Sequence, residues 1–196
     1  ANQLVNLYEK DAISRKEVER ETLSKPFFHN TSELHGVDFK HTENEFVDFD
    51  RDRLLFNMIS NEGPCICTGD LNSDGLTDFY VGGAKDQAGA LFVQERTGSF
   101  SRRNAELFEK DKDSEDTDCT FFDANGDGKQ DIVAARIFPS DVVVLIGNGA
   151  GSFASPVSIG SGQSPVWVAV GDFNADGRQD LATANLTSGG VSIRLG

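Results

Sequence analysis

The chain has 196 residues, 38% of them hydrophobic, and a net charge of −14, enough for one or two domains with a sizeable core. No basic patch stands against its 32 acids, which excludes nucleic acid as an expected partner, and no apolar run approaches the ~18 residues of a membrane span. Three cysteines, Cys65, Cys67 and Cys119, cannot all pair within the chain and lack zinc-site spacing, so they are expected as buried free thiols.

Residues 1–61 carry few regular signals. Residues 4–8 are apolar enough for a strand, and the charged stretch 11–23 reads as a polar linker or a short helix, with a strand followed by a linker preferred. Lys25-Pro26 marks a boundary, and 27–29, 37–41 and 46–49 are short strand candidates.

From Glu62 the pattern becomes regular. Residues 66–68, 79–81 and 90–94 are three expected strands, and Thr97-Gly98-Ser99-Phe100 turns into a fourth. The order then repeats with 120–122, 132–134, 142–146 and 156–159, and again with 166–170, 181–184 and 191–195. Phe100 and Phe153 follow Gly-Ser at equivalent places and are expected to be shared core positions. The chain stops one strand short of a third full unit. The expectation is therefore a piece of a larger chain or an assembly, with strand 191–195 an uncovered edge. Either the segment associates with itself, or the N-terminal region near Phe27 or Phe39 fills the gap.

Between the first and second strands of each unit stands one motif, D-x-N-x-D-G-x-x-D. Its copies are Asp70, Asn72, Asp74, Gly75 and Asp78; Asp123, Asn125, Asp127, Gly128 and Asp131; and Asp172, Asn174, Asp176, Gly177 and Asp180. Oxygen side chains thus recur at positions 1, 3, 5 and 9, and Leu76, Lys129 and Arg178 would add a backbone carbonyl at position 7. Hard cations such as calcium take six to eight oxygen ligands, and glycine at position 6 permits the sharp turn. Asp, Asn and Gly also make ordinary turns, but three copies in one register point to three Ca2+ sites. An EF-hand loop would need a Glu at position 12. Here Val81, Ala134 and Thr183 stand there, and strand-like sequence follows, so that reading fails. Three divalent ions would offset part of the acidity, since nine of the 32 acids lie in these loops.

A motif recurring at intervals of 53 and 49 residues, with about four strands per unit, points to stacked blades that cover one another's faces. Over 62–196 the repeats resemble FG-GAP/VCBS repeats, the blades of integrin-α-like β-propellers. The resemblance implies an all-β fold of four-stranded antiparallel blades, about 62–114, 115–162 and 163–196, the last incomplete. The Ca2+ loop would join the first and second strands of each blade. Asn at position 3, where the family often has Asp, keeps the oxygen and lowers the charge. The stretch 27–39, Glu115-Asp116-Thr117-Asp118, and Asn2-Gln3-Leu4-Val5-Asn6-Leu7 further resemble the ASPIC/UnbV-associated class. On that resemblance 1–61 is the end of a preceding unit, a linker and short strands.

The resemblance implies a calcium-stabilised repeat module that binds a glycan or a protein, and that meets further blades of the same chain or associates with itself. Loops of this kind work near 10⁻⁴–10⁻³ M calcium, which places the module outside the cell, in the periplasm or on the cell surface. Two alternatives are a non-catalytic part of a secreted polysaccharide-degrading enzyme and a structural or fibre-forming array. No nucleophile-elbow, phosphate-loop or dinucleotide motif appears, and His29, His35 and His41 have no evident nucleophile to serve, so no catalytic residue is assigned. Asn30-Thr31-Ser32 and Asn185-Leu186-Thr187 match the glycosylation sequon.

Overall fold

The structure, a computed structural model, describes residues 28–43, 63–137 and 139–196. The candidates at 4–8, 11–23 and 46–49, and Phe27, lie outside these residues. The chain divides into two compact units, 1–31 and 32–196, and every element named below belongs to the second.

Eleven strands form three antiparallel sheets among the described residues. The first holds β1 (Ile66–Gly69), β2 (Asp78–Val81), β3 (Ala90–Gln94) and β4 (Phe100–Arg103). The second holds β5 (Asp116–Phe122), β6 (Asp131–Arg136), β7 (Asp141–Leu145) and β8 (Val157–Ile159). The third holds β9 (Pro165–Gly171), β10 (Asp180–Asn185) and β11 (Gly190–Arg194). In every sheet each strand pairs with the one before it in sequence, as short connections between antiparallel neighbours allow. This is a partial β-propeller-like, all-β fold.

Alternation along the strands decides which face meets which neighbour. Cys67, Tyr80, Leu91 and Val93 of the first sheet pack against Cys119, Ile132, Ala134, Val143 and Leu145 of the second. The residues between them in sequence, Val133, Ala135, Val142 and Val144, point the other way and pack against Val168 and Leu181 of the third. Strand β6 is buried along its whole length because it has a sheet on each side. Each such Val or Leu removed from water contributes roughly 1.5–3 kcal/mol. The third sheet's other face is open: Trp167, Val191 and Ile193 are 66%, 70% and 58% exposed. Trp167 and Val191 both pair with Ala184, and Ile193 pairs with Ala182, so these residues share one face.

Polar groups tie the sheets at their first strands. Tyr80 Oη and the Gly83 amide donate to Asp116 Oδ2, at 2.7 and 3.1 Å. The Val168 amide donates to Asp118 Oδ2 at 2.9 Å. Strand β5 therefore begins at Asp116, earlier than the apolar run at 120–122 announces, because its polar residues are satisfied across the interfaces.

The N-terminal expectations need correction. Residues 37–41 form no strand, and the regular element among residues 28–43 is a 3₁₀ turn, Glu33–His35. The reason is a side chain that replaces a ladder: Gln87 Nε2 donates to the Lys40 carbonyl at 2.7 Å and its Oε1 accepts from the Thr42 amide at 2.9 Å. His35 Nδ1 is 2.7 Å from the Gly98 carbonyl. Residues 35–42 lie along the first sheet, and none of residues 32–43 pairs with β11. A short helix, α1 (Ala105–Glu109), follows β4 and was not expected. It buries Phe108, whose ring centroid is 5.1 Å from that of Tyr80.

Arg136, 4% exposed, anchors the connection between the first two sheets. Its Nη1 donates to Asp111 Oδ2 (2.6 Å) and Ser114 Oγ (3.0 Å), and its Nε and Nη2 grip both oxygens of Asp141 at 2.8 and 2.7 Å. Burial pulls the Asp141 carboxyl up, but Arg136 and the Ser158 hydroxyl outweigh it and hold the group below the usual carboxylate range. A depressed carboxyl contributes stability that is present above its unfolded value, near ~3.9, and lost as pH falls through its folded value. Arg136→Met leaves these acids without their partner and should cost about 3–5 kcal/mol at neutral pH in urea unfolding. The gap to the unmodified protein should narrow below about pH 4; an unchanged midpoint would contradict this role.

Candidate metal centre

Each motif copy fills the turn between the first and second strands of its sheet. In each, the residue before position 1 pairs with the Asp at position 9: Gly69 with Asp78, Phe122 with Asp131, and Gly171 with Asp180. Eight residues are thus looped out of an otherwise regular hairpin.

The loop holds its shape through side-chain to backbone bonds of the Asx-turn type. The position-1 carboxylate accepts the amides of positions 5 and 6: Asp70 from Asp74 (3.1 Å) and Gly75 (2.9 Å), Asp123 from Asp127 (3.1 Å) and Gly128 (2.8 Å), and Asp172 from Asp176 (3.1 Å) and Gly177 (2.8 Å). The Oδ1 atoms of Asn72, Asn125 and Asn174 accept the position-5 amide at 3.2, 3.0 and 2.9 Å. The Oδ1 atoms of Asp74, Asp127 and Asp176 accept the position-7 amides of Leu76, Lys129 and Arg178 at 2.8, 2.9 and 2.9 Å. Gly75, Gly128 and Gly177 take φ of +84°, +80° and +86°, as the turn at position 6 requires. Position 4 is left-handed as well, in Ser73, Gly126 and Ala175. The sequence signals it in the second copy alone, where a glycine stands there.

The position-9 Asp does something the motif does not announce. Asp78, Asp131 and Asp180 are fully buried. One oxygen of each accepts the position-2 amide, from Leu71 (2.9 Å), Ala124 (2.8 Å) or Phe173 (2.8 Å). The other accepts an amide at or just past the end of the sheet's third strand, from Gln94 (2.8 Å), Gly147 (2.7 Å) or Gly196 (2.8 Å). Burial pushes the Asp78 and Asp131 carboxyls up; the two amides oppose the shift, and the acids at positions 5 and 1 add to it.

Is the donor set fit for a hard cation? All side-chain donors are oxygens, and an ionised carboxylate has about four acceptor sites, of which the loop amides use a part. The outer oxygen of each position-5 Asp already meets a positive-ended group. Asn72 Nδ2 donates to Asp74 Oδ2 at 3.0 Å, Asn174 Nδ2 to Asp176 Oδ2 at 2.9 Å, and Lys129 Nζ lies 3.1 Å from Asp127 Oδ2. Those bonds hold the Asp127 and Asp176 carboxyls below the usual range. The side chains at positions 1, 3 and 5 therefore suit a cation. Position 9 is drawn back into the sheet, and among the described residues no three His, Cys, Asp or Glu side chains converge as metal donors.

The second and third loops flank a cleft of about 700 Å³, lined by Phe122, Asp123, Asn125, Arg178 and Gln179 among others. His41 Nε2 is 2.6 Å from Glu43 Oε1. Asn185 of the second sequon is buried, its Nδ2 donating to Ser192 Oγ at 2.9 Å and the Gly190 carbonyl at 3.2 Å, so it presents no surface acceptor.

A family model described as FG-GAP-like repeat matches residues 70–134 and 123–183. The chain belongs to the FG-GAP-like repeat family. Each match starts at or next to a loop's first Asp and runs past the next loop into the strand behind it, so the FG-GAP-like unit here spans from one loop to the next. The match carries the broad family and does not extend to the narrower ASPIC/UnbV-associated class. No curated protein matches the chain.

The ninth-position bonds of these FG-GAP-like repeats run from the carboxylate to backbone amides. Asp131→Ala leaves the Ala124 and Gly147 amides without their acceptor and should cost about 1–3 kcal/mol for each donor left unpaired. The loss should persist in EDTA. Asp127→Ala, on the exposed loop tip, should cost less in EDTA; equal losses in denaturant titrations would contradict the distinction.

Proposed function

We propose that the chain is a calcium-stabilised β-propeller repeat module that binds a glycan or a protein ligand outside the cell, in the periplasm or on the cell surface. The observation that supports it is the same all-oxygen loop, closed by the same bonds, at the same junction of three sheets. Asp70, Asn72, Asp74 and the Leu76 carbonyl would hold the first ion. Asp123, Asn125, Asp127 and the Lys129 carbonyl would hold the second, and Asp172, Asn174, Asp176 and the Arg178 carbonyl the third. Asp78, Asp131 and Asp180, drawn back into the sheets, would reach the ion as a position-9 ligand only by turning one oxygen towards the loop. Calcium supplies charge neutralisation and rigidity, as mutual repulsion of the loop acids opposes folding until a cation balances it. The cleft between the second and third loops, with the Arg178 side chain and several amide and carboxylate groups, suits a hydroxyl-rich or polar ligand.

Calorimetry should find three calcium sites, in the range of about 10⁻⁴–10⁻³ M. Calcium at a hundredfold excess over Kd should add about 2.7 kcal/mol per site, so EDTA lowers Tm. A chain that binds no calcium and melts identically in EDTA would contradict the reading.

The open face of the third sheet favours a second role as a stacking repeat. Val142 and Val144 of β7 are the counterparts of Val191 and Ile193, and the third sheet covers them. An equivalent surface left in water is a docking face for another blade or another copy. The protein should self-associate in sedimentation, and Val191→Lys with Ile193→Lys should shift it towards monomer; an unmodified protein that is monomeric at all concentrations would contradict this role.

A further inference from the structure

The three cysteines are nucleophilic side chains that the proposed function leaves unused. Cys67 lies on β1, Cys65 one residue before it, and Cys119 on β5 of the neighbouring sheet. All three pack in the one apolar cluster between the first and second sheets. Cys119 shares this cluster with Cys67, and Cys65 packs against it from the first sheet. A Cβ at Gly82 would collide with the Cys65 sulfur, so the bare backbone there makes room for it beside Asp116.

Cys65 and Cys67 are poor partners for each other. Two residues apart on a strand, their Cα atoms are separated by about 6.6 Å, at the upper limit of disulfide geometry. Their side chains also run parallel. Cys119 approaches from the facing sheet. Cys67 is buried and fixed in the ladder opposite Tyr80. Cys65 is partly exposed, lies outside the strand, and is held by the Gly82 amide donating to its carbonyl at 2.9 Å.

We infer that Cys65 and Cys119 form a disulfide that ties the first sheet to the second when the protein meets a low-molecular-weight disulfide. The Cys65 thiolate attacks one sulfur of the reagent and displaces one thiol. Cys119, deprotonated in turn, attacks the Cys65 sulfur and displaces the second. The two protein thiols lose two protons and two electrons, and the reagent is reduced to two thiols. The exchange is slow in the folded protein. The hydrogen bond with Cys119, together with burial, pushes the Cys65 thiol far up; Cys119 is also raised, as its bond to Cys67 and its burial outweigh the opposing effect of Cys65. The bond closes a long loop, so it should raise Tm.

The test incubates the folded 196-residue chain with oxidised glutathione and reads intact mass, free thiols after unfolding, and non-reduced peptide maps. The expected result is loss of two hydrogens, one remaining thiol, a Cys65–Cys119 peptide and a higher Tm that dithiothreitol reverses. Cys67→Ser should keep the bond and Cys119→Ser should lose it. Three free thiols after prolonged incubation, or a map that joins Cys67 to either neighbour, would overturn the inference.

Discussion

A buried carboxylate that accepts two backbone amides recurs in all three sheets, and the rest of the fold is arranged about it. Asp78, Asp131 and Asp180 each join a loop's second residue to the end of the third strand. An ionised group removed from water is tolerated only when its lone pairs are occupied, and charge-assisted bonds to amides are among the stronger ones. The Asp therefore sets where the first hairpin ends and where the third strand stops. It also places the exposed acids of positions 1 and 5 at the same corner of every sheet. The loop hangs from this anchor.

Stacking follows from what such a sheet cannot do alone. A three- or four-stranded sheet has two faces, and alternating side chains make both apolar, as the fully buried β6 shows. Neighbouring sheets solve this by packing face to face. The polar ties differ between the two interfaces. Asp116 with Tyr80 and Gly83 serves the first; Asp118 with Val168 serves the second. Trp167 occupies the place in the third sheet that Asp118 occupies in the second, so its open face offers no carboxylate there and an aromatic surface instead.

Most strands and their order were legible as short apolar runs between turn residues, and the three loops were legible because acid, amide and glycine recur in a fixed register. The role of Asp131 was not, since its second partner, the Gly147 amide, is distant in sequence and carries no side-chain signal. The same holds for Asp116 and Asp118, which stand out in the sequence for a family likeness and prove to be half-buried cross-sheet acceptors. Residues 37–41 alternate like a strand, but a single glutamine side chain, Gln87, takes the bonds a neighbouring strand would have made. The α1 helix is too short for periodicity to reveal and is placed by Phe108 packing on Tyr80.

Amide hydrogen exchange read residue by residue, in EDTA, addresses the anchoring carboxylates most directly. The amides of Leu71, Gln94, Ala124, Gly147, Phe173 and Gly196 should exchange slowly, at rates close to those of the strand interiors. The amides of Asp74, Asp127 and Asp176 at the loop tips should exchange much faster in EDTA and slow when calcium is restored. Exchange of the anchored amides as fast as that of the loop tips would contradict the claim that these carboxylates anchor each sheet.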